Sequence, residues 1–132
     1  MDLSRPAIAL CAEGTQLEFQ KRLDEARQRY AEAWGCATDD YEKCIAAHYV
    51  GHLAQTPAEA LFWHQTALEH ANQTEAALVE SFLPSLYVNL GHSYEQTGDQ
   101  EQAKHFYGLA AELGLLHQES DGGGDTSGRR PP

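Results

Sequence analysis

The chain has 132 residues, 42% of them hydrophobic, with 20 acids against 9 bases for a net charge of -11. That length holds one domain with a real core, while the acidic balance excludes nucleic acid and anionic membranes as partners, because phosphate binding needs a basic face. Three cysteines without a CxxC pair suggest neither a disulfide framework nor a zinc finger, and no segment nears the roughly 20 apolar residues of a membrane span. The apolar run from Pro6 to Ala12 is too short for a signal peptide, so a cytoplasmic location is expected. Leu, Ala, Glu and Gln dominate over Ile and Val, which favours helix.

Pro6, followed by Ile8, Leu10, Cys11, Gly14 and Leu17, predicts a first helix that ends near Phe19. Residues 16–34 alone read as one uninterrupted helix. However, Gly14 precedes Ala26 by the spacing that separates Gly91 from Ala103, and Tyr30 and Ala33 then fall where Tyr107 and Ala110 fall, so the register sets a turn near Lys21. Beyond Gly35, Thr38 or Asp39 caps a helix to about Gln55, where Thr56-Pro57 stops it and starts the next. The steps from Ala26 to Ala60, Tyr30 to His64 and Ala33 to Ala67 are equal, about 34 residues each. Ala47 takes the slot of Gly14 and Gly91 in this middle unit.

Between Asn72 and Pro84 the residues Glu75, Ala76, Leu78, Val79, Phe82 and Leu83 recur at helical spacing. The first helix of the third unit is therefore expected to extend backwards, with Pro84 kinking it or opening a new first turn. Residues 84–114 form the clearest unit. Tyr87, Leu90, Tyr94 and Tyr107 fill a seam around the small Gly91, Ala103 and Ala110, and Gly98-Asp99 makes the turn. Residues 119–132, rich in Gly, Asp, Ser, Arg and Pro, are expected to form a disordered tail. The aromatics Trp34, Phe62, Trp63 and Phe106 are expected in the core or in hairpin stacking. Asp39-Asp40 and residues 99–101 complement the dipoles of helix starts.

This organisation resembles the tetratricopeptide repeat, a helix-turn-helix unit of about 34 residues, and the lengthened last unit is similar to variant repeats of bacterial regulatory proteins of that superfamily. The resemblance implies an all-α, right-handed solenoid of three helical hairpins, six helices in all, near residues 6–36, 39–72 and 75–115 of a domain covering 1–118. It also implies a concave groove lined by the first helix of each hairpin, in which a non-enzymatic protein-protein interaction module captures a peptide or helix of a protein partner. Projection from Gly14, Ala47 and Gly91 puts Tyr41, His48, His52, Ser85, Asn89, His92 and Glu95 there as contacts, with Ile8, Cys11, Thr15, Glu18 and Phe19 as the first unit's share. The acids favour a basic partner. Capture of a chaperone's C-terminal carboxylate is not expected, because of Cys11, Thr15, Ile45, Ser85 and Asn89 only Asn89 suits it.

Two other readings stand beside that one. Cys44, His48 and His52 are spaced by four on one helical face and, with His92 or Glu95, compose a donor set for zinc or a similar metal. They serve equally as polar groove residues around a packing thiol, and since no recognised zinc spacing is present the expectation is no cofactor. A Cys44-His48 nucleophile pair lacks an oxyanion site and a third group. The alternatives are thus a small-molecule or metal-binding protein, an enzyme among them, and a self-associating subunit. In the latter, Leu109, Leu113, Leu115 and Leu116 on the C-terminal helix would pair in a homodimer.

Overall fold

Proline in the first turn opens three of the helices, since its missing N–H is one that a helix start leaves unused in any case. The structure, a computed structural model, describes the backbone of residues 2–121 and the side chains of residues 2–114. Seven helices are found there and no strand: α1 (Pro6–Phe19), α2 (Leu23–Cys36), α3 (Asp40–His52), α4 (Pro57–Ala71), α5 (Ala76–Val79), α6 (Leu83–Gln96) and α7 (Gln100–Asp121). Consecutive helices pack as hairpins, α1 on α2, α3 on α4 and α6 on α7, and α3 also packs on both α1 and α2. The chain divides into two compact units, Met1–Val79 and Glu80–Pro132. None of the described helices is long and apolar enough to cross a membrane.

In the first unit, the core of α1 and α2 is Ile8, Cys11, Ala26, Tyr30 and Ala33, all without exposed surface. The turn near Lys21 is present. Lys21 N donates to Glu18 O and Arg22 N to Leu17 O, which closes α1 in a Schellman arrangement with Lys21 at φ +66. Of the two cap candidates for α3, Asp39 does the work: its side chain accepts from Glu42 N at 2.9 Å. Glu42 in turn accepts from Thr38 N and Oγ1 at 3.0 and 3.1 Å and pairs with Arg5 at 3.0 Å, although only 4% of it is exposed. Thr56 caps α4 by accepting from Glu59 N at 3.1 Å, and its hydroxyl donates back to Glu59 at 3.3 Å.

The backward extension expected for the third hairpin is a separate single turn, α5. Pro84 cannot continue a helix from upstream, because its ring collides with the preceding turn, and α6 starts afresh around it. Among the described residues the helices accordingly number seven rather than six.

In the second unit, α6 buries Leu86, Leu90, Gly91 and Ser93. Tyr94 and Phe106 stack at 5.7 Å, and Tyr87 lies 5.9 Å from the same phenyl ring. Gly98, at φ +92, closes α6 with the bonds Lys21 makes for α1: Gly98 N to Glu95 O and Asp99 N to Tyr94 O. Asp99 then caps α7 through Gln102 N at 3.1 Å. Of the tail expected over residues 119–132, residues 119–121 continue α7 and the rest lies outside the described residues, as do the side chains of Leu115 and Leu116.

Candidate functional site

Close approach of the two helices in a hairpin depends on a missing side chain, and it recurs in all three hairpins. A Cβ on Gly14 would lie 2.3 Å from the Tyr30 ring, and one on Gly91 2.7 Å from the Tyr107 ring. In the middle hairpin the ring is His64 and the glycine is Gly51, whose Cβ would meet it at 2.8 Å. Ala47, one turn before Gly51 on α3, is fully buried. His64 itself is buried at its packing slot, 4% exposed.

With the rings so placed, their polar ends reach the last turn of the first helix. Tyr30 donates its hydroxyl to Glu18 Oε1 at 2.7 Å, and Tyr107 donates to Glu95 Oε1 at 2.8 Å. Glu18 is also 2.7 Å from His52 Nε2 through its second oxygen, so one carboxylate ties α1, α2 and α3 together. Burial, then the adjacent Glu95 carboxylate, raises the Tyr107 hydroxyl to about 12, so it is a hydrogen-bond donor at neutral pH.

The expected contacts on α3 have different surroundings. Tyr41 lies under Arg5, whose guanidinium carbon is 5.4 Å from the ring centroid. His48 packs inward between Tyr49 at 5.2 Å and His64 at 5.9 Å, continuing a row of rings from Tyr30, which stacks on Tyr49 at 5.1 Å. Burial, and secondarily the charge of His52, lowers the His48 imidazole to about 4, so it is neutral. Cys44 is buried, and burial pushes its thiol up to about 12, so it is a neutral packing group. Among the described residues no group of three or more His, Cys, Asp and Glu side chains is set to hold a metal ion.

In the second unit α6 presents Ser85, Val88, His92 and Glu95 as an exposed stripe, with Asn89 half-buried beside them. Val88, at 43% exposure, is the apolar member. The stripe mixes one aliphatic group, a hydroxyl, an amide, an imidazole and a carboxylate, which suits directed hydrogen bonding around a small apolar contact.

Of the five α1 residues projected into the groove, Ile8 and Cys11 are fully buried and Glu18 is bonded to His52, and the sequence pattern did not reveal that bond or the pairing of Arg5 with Glu42. An arginine just before a helix, with acids at the start of a later one, was the available signal. On α4, His70 Nδ1 is 2.7 Å from Asp40, and its ring lies 5.9 Å from Trp34, which meets Trp63 edge-on at 5.1 Å.

Residues 84–113 match the tetratricopeptide repeat family, so the match begins at the proline of α6 and covers most of the α6–α7 hairpin. No curated protein and no solved structure matches the chain.

Proposed function

We propose that this chain, an all-helical protein of the tetratricopeptide-repeat type, captures a peptide or helix of a protein partner on the faces of its first helices. Repeats of this family are in general protein-protein interaction modules. The observation that carries the reading is the exposed stripe Ser85, Val88, His92 and Glu95 on α6, inside the residues that match the family. A solvated helix needs only polar residues there. This one sets an aliphatic side chain among a hydroxyl, an imidazole and a carboxylate, three kinds of hydrogen-bonding group.

Partner specificity in such a module comes from polar contacts that a wrong ligand leaves unpaired. Asn89 and His92 supply donors and acceptors, and Glu95 favours a partner with basic side chains. The first unit contributes a narrower set, since His52 is already engaged by Glu18 and His48 is packed. Free thiols at Cys11, Cys36 and Cys44 fit a reducing cytoplasmic setting for this activity.

The test is affinity capture with crosslinking, comparing the full chain with His92→Ala and Asn89→Ala and checking both variants for an unchanged helical circular dichroism spectrum. A specific partner lost in His92→Ala is the expected result. Equal capture by the variants and the parent would remove the α6 face from the reading.

A further inference from the structure

The hairpin α1–α2 holds α3 by a device whose residues α6–α7 repeats. On the first hairpin, α3 ends against two charged groups. Glu18 Oε2 is 2.7 Å from His52 Nε2 in the last residue of the helix. Arg27 donates from Nε to the carbonyl of Leu53, the C-cap residue, at 3.0 Å. The final carbonyls of a helix have no intrahelical partner and carry partial negative charge. A cation therefore serves the carbonyls, and a carboxylate serves a donor in the same last turn. Tyr30, bound to the other oxygen of Glu18, fixes the direction in which that carboxylate faces.

Gly14, Glu18, Arg27 and Tyr30 have the same mutual spacing as Gly91, Glu95, Lys104 and Tyr107. The internal geometry agrees as well, with Gly91 passing the Tyr107 ring and Tyr107 bonded to Glu95 Oε1. What differs is the cover. Ile8 and Cys11 have no exposed surface on α1, whereas the corresponding Ser85 and Val88 on α6 are exposed, as are Glu95 and Lys104. The middle hairpin does not have the set, since Leu61 stands where Arg27 and Lys104 stand.

We infer that the α6–α7 hairpin docks the C-terminal turn of a partner helix that ends in a histidine, lysine or arginine. Glu95 takes the N–H of that side chain, and Lys104 faces the helix's last carbonyls. Charge complementarity commits the site to this occupant. Helix ends of this kind favour basic residues, and a chain of net charge -11 attracts them. This inference rests on the partner-capture reading and deepens it, naming the end and the chemistry of the partner that α6–α7 reads.

The probe is a synthetic peptide of residues 39–55 with Cys44→Ser, since this segment fills the equivalent place on α1–α2 and brings its own Asp39 cap. It is titrated into the isotope-labelled full chain and followed by amide NMR shifts. Saturable shifts at His92, Glu95, Lys104 and Tyr107 are expected, with a Kd below about 1 mM. Glu95→Gln, which keeps the Tyr107 bond, and Lys104→Ala should each weaken binding about tenfold. A peptide carrying His52→Glu should fail to bind, and that control leaves the protein untouched. Absence of shifts at about 1 mM peptide, or an affinity in both protein variants equal to that of the parent chain, overturns the proposal. So does sedimentation of the chain as a dimer that Lys104→Ala dissociates while the peptide does not bind, which would make a second copy the occupant. Peptide binding through Glu95 and Lys104 with no cellular partner captured would sustain the docking site and count against the partner-capture reading alone.

Discussion

Gly14 and Gly108 are both helical glycines, and the space beside each gives them opposite expected responses to an added methyl. At Gly14 the Tyr30 ring occupies the space of a Cβ, with atoms at 2.3 and 2.6 Å, and that ring is itself fully buried and bonded to Glu18. Gly14→Ala should destabilise the chain by about 2–3 kcal/mol in urea unfolding. At Gly108 nothing lies within 4 Å, so Gly108→Ala should gain about 1 kcal/mol from helix propensity. Pairs such as Gly14 with Tyr30 were legible in the sequence because they recur at one spacing within a local hairpin. Gly51 was not, because the middle hairpin has one more residue between Ala47 and Ala60, and the ring approach falls on the next small residue along α3. Glu42 was hidden for another reason. Its burial depends on Arg5 reaching it from the start of another helix, a contact that no local pattern encodes.

At the scale of elements, α1 and α6 end in one geometry built from different residues. Gly98 adopts φ +92 without cost to a side chain, whereas Lys21 sits at φ +66 with a Cβ that crowds the neighbouring carbonyl. Lys21→Gly should stabilise the α1–α2 hairpin by about 1 kcal/mol, read as a rise in thermal midpoint with the enthalpy little changed. The turn itself was legible only through the repeat register, since Lys21 is not a turn-forming residue by type. Helix starts were easier, because Thr56-Pro57, Asp39 and Asp99 each carry a cap chemistry that acts within three residues. The start of the third hairpin was readable only as two options, a kink or a new turn, because Pro84 ends an upstream helix and begins a downstream one by the same ring.

For the whole molecule, repeat number and helical class followed from spacing, and the division at Val79–Glu80 did not. The stretch before it has helical periodicity, yet only a single turn forms there. The candidate site was legible as a set of positions on first helices. Its internal pairing was not, because Glu18 to His52 and Arg27 to Leu53 join hairpins rather than neighbours in sequence. The two units also differ in a way that follows from the cysteines. Cys11 and Cys44 are buried in α1 and α3, burial pushes both thiols up to about 12, Cys36 is exposed at the end of α2, and no cysteine lies beyond residue 79. The chain thus contains its own clock. With an alkylating reagent, intact mass should show one adduct at once and two more at the pace at which Met1–Val79 opens, while events confined to Glu80–Pro132 leave no mark. Simultaneous labelling of all three would mean that the first unit does not stay closed.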